Sequence, residues 1–236
     1  MFVLHRPAMD APPLATAPVA DALVRLKLPV RIAPPGLSSV IPGTRIAGPC
    51  LPARHAGSVD AFLEALERSR PGDVLVIDNG GRDDEGCIGD LTALEVQDAR
   101  LAGCLVWGRH RDTEELGRIG LPVFSYGRYP QGPLAPRPRA KDALTVARFG
   151  PHRITTDDYI VADDDGAVFV GPKRRDEALE FARSIMAKER AQAERVREGT
   201  NLRKQFRFAD YLAKRAKKPS YSFREHLRAA DAAIEE

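Results

Sequence analysis

Short apolar runs alternate with helically spaced segments through the first two thirds of the chain, and this alternation predicts a layered α/β domain. Arg45–Leu51 reads as a strand, and Ser58 caps a helix that carries Phe62, Leu63 and Leu66. Pro71-Gly72-Asp73 then turns the chain into a second strand, Val74–Asp78. A glycine-rich loop from Asn79 to Gly89 leads to Asp90, an N-cap-region residue for a helix over Leu91–Leu101. Cys104–Trp107 follows as a buried strand, with Gly108 as its turn. After Asp112 the pattern predicts a short helix over Glu114–Gly120 and a strand over Leu121–Tyr126.

The segment Gly127–Pro138 holds too much proline and glycine for regular structure and reads as an ordered loop over a site or a neighbouring subunit. Strands are predicted within Thr145–Gly150 and Asp157–Val170, with Asp163-Asp164-Asp165-Gly166 as a tight hairpin turn between YIVA and AVFV. Three adjacent aspartates invite a calcium reading. Their spacing fails the alternating ligand pattern of a calcium loop and lacks its closing glutamate, so turn chemistry is the expectation.

Arg174–Glu198 reads as one long charged helix with Ala178, Phe181, Ala182, Ile185 and Met186 as its apolar stripe, ended by Gly199. A second helix is expected over about Leu202–Ala216. The remaining aromatic and charged mixture suits docking on a neighbouring subunit better than a core of its own. At the other end, the chain up to Leu28 reads as a loose, peripheral arm and a short helix, DALVRLKL, stopped by Pro29. The organisation expected is therefore an arm and short helix over 1–38, an α/β domain over 39–173, and a helical extension over 174–236 at a subunit interface.

Composition narrows the function classes. At 236 residues and 43% hydrophobic, the chain can bury a sizeable core. No apolar run approaches the roughly 20 residues of a membrane span, and residues 1–20 lack a continuous signal-peptide core, so a cytoplasmic location is expected. Three cysteines without CxxC spacing indicate neither a disulfide framework nor a zinc site. Of the formal +3 charge, residues 173–236 contribute 17 Lys and Arg against 11 Asp and Glu. Interleaving of acids and bases, as in KERAQAERVRE, assigns that surplus to a solvated or subunit-contacting helix and argues against nucleic acid.

The chemistry concentrates between Gly89 and Glu115. Asp90 opens one helix while Arg111 and Asp112 follow the next strand, so both acidic ends land on one edge of the sheet. Two aspartates supply oxygen ligands for a magnesium-type ion, and the arginine supplies a fixed cation for a keto-acid carboxylate or oxyanion. Taken singly, each has a plainer role, Asp90 as a cap and Arg111 and Asp112 as partners in a surface ion pair with Glu114 or Glu115. His110-Arg111-Asp112 lacks the accompanying kinase motifs. Gly80-Gly81 lacks a nucleotide-loop context. No lysine lies between Leu28 and Lys141, which leaves no Schiff-base candidate near the site.

The ordered motifs G-D-L at 89–91, G-C-L-V-W-G at 103–108, R-D-x-x-E at 111–115, L-P-V-F at 121–124, Y-P-Q-G-P at 129–133 and D-D-Y-I-V-A-D-D-D-G-A-V-F-V at 157–170 resemble the RraA-like family. The likeness covers about Ser39–Arg190, and the tail resembles an extension of a longer subgroup. That family includes class II 4-hydroxy-4-methyl-2-oxoglutarate and 4-carboxy-4-hydroxy-2-oxoadipate aldolases and a protein regulator of ribonuclease activity. The resemblance implies a β/β/α sandwich assembled as a homotrimer or homohexamer, with a site at a subunit interface. It implies Asp112 as the metal carboxylate, Arg111 on the pyruvyl carboxylate and keto oxygen, Asp90 on the metal's water shell, the amides of Leu91 and Thr92 on the substrate carboxylate, and Glu115 as a further acidic group. Trp107 and Arg109, flanking Gly108, depart from the family pattern and are expected to reshape the pocket. The implied activity is a magnesium- or manganese-dependent lyase that releases pyruvate from a 2-oxo-4-hydroxy acid, with oxaloacetate decarboxylation as a side activity. The alternatives are a non-catalytic regulator of an endoribonuclease and other enolate chemistry on a sugar-derived acid.

Overall fold

The computed structural model describes residues 13–229; most of the expected N-terminal arm and the last residues of the extension lie outside them. The chain forms two compact units, one of residues up to Thr16 with Pro29–Arg175, the other of Ala17–Leu28 with Asp176 onward. The helix α1 (Thr16–Arg25) begins five residues before the predicted start at Asp21 and ends before the predicted stop, and it buries Val19, Ala22 and Leu23.

The strands of the first unit are β1 (Arg31–Ile32), β2 (Ser38–Ser39), β3 (Ile46–Arg54), β4 (Val74–Asp78), β5 (Gly86–Ile88), β6 (Gly103–Trp107), β7 (Arg109–His110), β8 (Val123–Ser125), β9 (Val146–Phe149), β10 (His152–Thr155), β11 (Tyr159–Asp163) and β12 (Gly166–Val170). Eight of them form a sheet in the order β1-β12-β11-β3-β4-β6-β8-β2. Its centre, β3-β4-β6-β8, is parallel, because α2 (Asp60–Leu66), α3 (Asp90–Asp98) and α4 (Thr113–Ile119) carry the crossovers. The edges are antiparallel.

Strand periodicity divides the core into two layers. All five residues of β4 are buried. Leu75 and Ile77 pack with Phe62, Ala93, Val96 and Leu116 from the three helices. Val74 and Val76 point the other way and pack with Phe124, Ala147, Phe149 and Ile154, so the β9–β10 hairpin covers that face. The fold is a β/β/α sandwich with added C-terminal helices.

Several local expectations change. Val59, not Ser58, is the N-cap of α2 and makes no side-chain cap bond; Ser58 Oγ lies 3.5 Å from the Asp60 amide. β10 was not predicted, and the loop Asn79–Gly89 contains β5, which pairs in parallel with β7. The aspartate turn is structural, since the buried Asp163 carboxylate accepts from the amide and hydroxyl of Thr16 at 2.9 and 2.6 Å. Asp163 pairs with Gly166 across a two-residue turn, as the hairpin expectation requires.

In the second unit α5 (Arg175–Arg197) buries Ala178, Ala182, Ile185 and Met186 along one stripe, with Leu179, while Phe181 is half-buried. The expected single helix over 202–216 is broken into α6 (Leu202–Gln205) and α7 (Phe208–Lys217) by Arg207, which takes a left-handed conformation at φ 50°. α8 (Phe223–Ala229) follows. Phe206, Phe208, Tyr211, Tyr221, Phe223 and His226 pack ring against ring, with neighbouring centroids 5.0 to 6.3 Å apart. The aromatic residues of the tail therefore build a small core of their own.

Candidate active site

The carboxyl ends of parallel strands leave backbone groups and side chains converging outside the sheet, which is where ligands bind in α/β folds. Beside the ends of β3 and β4 lies a cavity of about 490 Å³. Asp90, Leu91, Thr92 and Arg111 all line it, with His55 and Pro133. Four of the expected site residues are thus brought to one cavity.

Three glycines make room for the Arg111-Asp112 pair. A Cβ at Gly86 would meet the Arg111 Cβ at 3.0 Å, one at Gly89 would meet Asp112 Oδ2 at 2.2 Å, and one at Gly132 would meet Arg111 Nη1 at 2.7 Å. The β5–β7 pairing sets this register, and the Arg111 amide donates to Ile88 O at 2.9 Å. Asp112 itself is left-handed, φ 57° and ψ 40°, at the N-cap of α4, and its carboxylate makes no cap bond. An L-residue pays roughly 1 kcal/mol or more for that conformation. The backbone turn instead places Oδ2 over Gly89 and 3.3 Å from Arg111 Nε.

Asp90 is the first residue of α3 and Gly89 its N-cap. Asp90 Oδ1 accepts from the Leu91 amide at 2.7 Å, so the amide expected to hold substrate is engaged by the neighbouring carboxylate. Leu91 is exposed and Thr92 buried. Glu115 is not brought to the other two acids: it pairs with Arg118 on the same helix, as does Glu114. The reason is local, because residues three and four apart on a helix are neighbours. Arg111 and Asp112 are consequently not engaged with Glu114 or Glu115. Among the described residues, no three His, Cys, Asp or Glu side chains gather as a metal cluster. The donor set fits a different kind of site. One hard carboxylate in a glycine cradle, with a second at the adjoining helix start, suits a largely hydrated magnesium-type ion rather than an all-protein cage.

Trp107 and Arg109 do not line the cavity. Trp107 packs against Tyr126 and Phe149 and against Gly81, and Arg109 donates to Tyr126 O. His110 is held on both ring nitrogens, with Nδ1 bonded to Ser125 Oγ at 2.6 Å and Nε2 to Thr113 Oγ1 at 2.9 Å. Cys50, Cys87 and Cys104 are buried free thiols whose pKa values burial pushes up, so none offers a thiolate.

A buried polar group beside the cavity escaped the sequence reading. Glu85, 4% exposed at its side chain, accepts both guanidinium nitrogens of Arg137 at 2.8 and 3.1 Å, and Arg82 Nε lies 3.5 Å away. His55 Nδ1 bonds to Asn79 Oδ1 at 2.8 Å, and that oxygen also accepts from Arg137 Nη2 at 3.4 Å. The amide oxygen therefore faces both groups, which makes Nδ1 the donor and leaves the lone pair on Nε2. No periodicity signals such a cluster, since its members come from a strand end and two loops.

Burial lowers the pKa of His55 from its usual value, against the opposing pull of its Asn79 bond, and burial lowers that of His110 likewise. Each is thus neutral in the fold and gains a proton on unfolding below about pH 6.5. Stability should fall as pH drops from 7.5 to 5.5. Thermal unfolding across that window checks it, and a His55→Asn variant should show a shallower decline; a flat profile in the parent would contradict the buried neutral assignment.

A family model described as RraA-like, Aldolase/RraA, matches residues 16–169, beginning earlier and ending earlier than the span of the recognised motifs. A protein of Aromatoleum aromaticum named "Putative 4-hydroxy-4-methyl-2-oxoglutarate aldolase" is 36% identical over 104 residues, 44% of this chain and 64% of that one. The chain thus spans just under two thirds of that relative. A protein of the same name from Alkalilimnicola ehrlichii is 33% identical over 52% of this chain and 76% of its own. Among solved structures, Streptomyces coelicolor RraAS2, described as an unusual member of the RNase ES inhibitor RraA protein family, superposes with TM-score 0.67 at 27% identity, over 77% of this chain and 93% of that chain. An uncharacterized protein of Pseudomonas syringae pv. tomato gives TM-score 0.70 at 26% identity, over 80% and 90% of the two chains. With the motif succession, the sandwich and the family model in agreement, the chain belongs to the RraA-like family.

Proposed function

We propose that this protein is a lyase that cleaves a 2-oxo-4-hydroxy acid and releases pyruvate, with oxaloacetate decarboxylation as a side activity. The observation that carries the reading is the Arg111 guanidinium, held by glycines at the wall of the cavity beside the start of α3. Arg111 binds the keto-acid end of the substrate. As the C3–C4 bond breaks, its electron pair moves toward the keto group and gives the pyruvate enolate, while the hydroxyl carbon becomes a carbonyl; the enolate then takes a proton at C3 and leaves as pyruvate. Arg111 neutralises the negative charge that grows on the keto oxygen. The proton leaving the hydroxyl passes to the side of the cavity where Asp90 stands. A divalent ion, magnesium or manganese, held by Asp112 with Asp90 orienting its water, would supply Lewis-acid polarisation of the keto oxygen. The apolar wall of Val59, Leu63 and Leu94 gives a polyhydroxylated sugar acid few partners, which favours aldol cleavage over that chemistry. A homotrimer or homohexamer in which a neighbouring chain supplies a further acidic residue belongs to the same reading.

The test is pyruvate release from 4-hydroxy-4-methyl-2-oxoglutarate and from oxaloacetate, with magnesium or manganese and then with excess chelator. Metal-dependent pyruvate from either substrate is expected. Folded protein that yields none would turn the reading toward the ribonuclease-regulator role, which the likeness to RraAS2 supports. A finer expectation concerns Gly89→Ala. The added methyl would displace the Asp112 carboxylate, so metal-dependent turnover should fall at least about tenfold with little change in the thermal midpoint. Unchanged turnover would remove Asp112 from the site.

A further inference from the structure

The chain's positive surplus is concentrated in residues 202–229, ahead of Asp231, Glu235 and Glu236. α5 carries six Lys and Arg against five Asp and Glu, and pairs such as Arg183–Glu180 and Arg197–Glu194 lie along it. Residues 202–229 hold nine Lys and Arg against only Asp210 and Glu225, and all nine are exposed. The interleaving that argues against nucleic acid therefore belongs to α5 and stops at Gly199.

Within this stretch a cavity of about 370 Å³ is lined by Arg207, Asp210, Lys214 and His226. His226 is 4% exposed, and its Nε2 bonds to Phe206 O at 2.7 Å. A carbonyl only accepts, so Nε2 carries the proton and Nδ1 is left buried without a partner. Arg207, paired with Asp210 Oδ2 at 2.6 Å, and Lys214 line the same wall, and Lys217 in the last turn of α7 and Lys218 just after it extend the positive charge.

We propose that the α6–α8 segment binds the phosphate backbone of a nucleic acid through its exposed lysines and arginines, with Lys214 and Arg207 meeting one phosphate at the mouth of the cavity. Phe206 and Tyr211 are buried and the other rings of the cluster pack on one another, so bases have few free ring faces to stack on and recognition is through phosphate, independent of sequence. The same packing leaves only Leu202 and Leu212 as large exposed apolar side chains in the stretch, too few to insert into a lipid surface.

The experiment is fluorescence anisotropy of the full chain with labelled single-stranded RNA of about 25 nucleotides and duplex DNA of about 25 base pairs. Both should bind with Kd of about 1–100 μM at low salt. If about four phosphates are neutralised, affinity for the duplex should fall about 100-fold between 50 and 200 mM salt. The exposed triple variant Arg215→Glu, Lys217→Glu, Lys218→Glu should lose at least about tenfold with helix content and thermal midpoint unchanged, and Lys214→Gln should lose a few-fold. Absence of binding to both probes would overturn the proposal. So would binding that the triple variant leaves unaltered, or binding confined to phosphatidylserine vesicles or polyglutamate.

Discussion

Replacing Arg111 by alanine should lower kcat/KM for pyruvate release by about 10²–10³-fold while moving the thermal midpoint by no more than about 2 °C. The position of the side chain separates the two effects. It is about half exposed, at 46%, and its ion-pair partner Asp112 is itself 34% exposed at 3.3 Å. A pair that open to water contributes about 0–1 kcal/mol to stability. In the proposed reaction the same guanidinium faces the oxygen on which charge develops, where losing one fixed cation is far more costly. KM should rise and kcat fall together, because the keto-acid end is held in both the ground state and the transition state. Arg111→Lys should recover only part of the loss, since an ammonium lacks the planar fork. Steady-state kinetics beside thermal unfolding decides the matter. A fall in midpoint that tracks the loss of activity would make Arg111 a structural ion-pair residue.

The largest stability effect is expected from Arg137→Ala, at about 3 kcal/mol, which for a chain of this size is roughly 6–12 °C in the thermal midpoint. Removing the guanidinium leaves the buried Glu85 carboxylate with Arg82 Nε at 3.5 Å and the neutral His55 Nδ1 at 3.6 Å in place of a bidentate partner. It also releases a loop held at several points. The Arg137 amide donates to Ala56 O at 2.7 Å, the Gly86 amide donates to Gln131 O at 2.8 Å, and Gly57 leaves space for Ala135 O that a Cβ would fill at 2.2 Å. Since Gly132 and Pro133 of that loop abut Arg111 and the cavity, KM should rise as well. The double variant Glu85→Ala, Arg137→Ala should be less destabilised than the sum of the single changes, because no charge is then left unpaired. Additive losses would mean that the loop is held by its backbone bonds alone.

The same pair sets an acid-side pH dependence. The Arg137 hydrogen bonds hold the Glu85 carboxyl below its usual range. A lowered native pKa adds stability at pH above the unfolded value of about 4.3, and that stability is lost as pH falls through the native value. In Arg137→Ala the contribution should be smaller and its loss should begin at higher pH. Urea unfolding from pH 7 to pH 3 would show both.

Much of the α/β unit was legible because its determinants are local. VLVID is apolar at every position before its last residue, so it reads as a strand buried on both faces whatever surrounds it, and the long charged helix carries its stripe at helical spacing. The order of motifs likewise placed Asp90, Arg111 and Asp112 near one sheet edge. Short edge strands were not legible, since β1, β2 and β7 have two residues each and exist only through the strands they pair with. The break at Arg207 also escaped, because the residues on either side are acceptable in a helix and the packing of Phe206 and Phe208 against Phe223 accompanies the turn.

Within the site, sequence alone established which chemistry was available: two carboxylates, one arginine and no lysine near the cavity. Only the folded chain decided which of these groups meet. Glu115 turned to Arg118 because a helix brings residues three apart together, and Asp90 took up the Leu91 amide because that donor was one peptide away. Glu85 and Arg137 stand 52 positions apart, and no local pattern links them. Their pairing follows from three-dimensional closure of the loop over the strand ends, where a buried carboxylate must find a cation and only the fold determines which one is within reach.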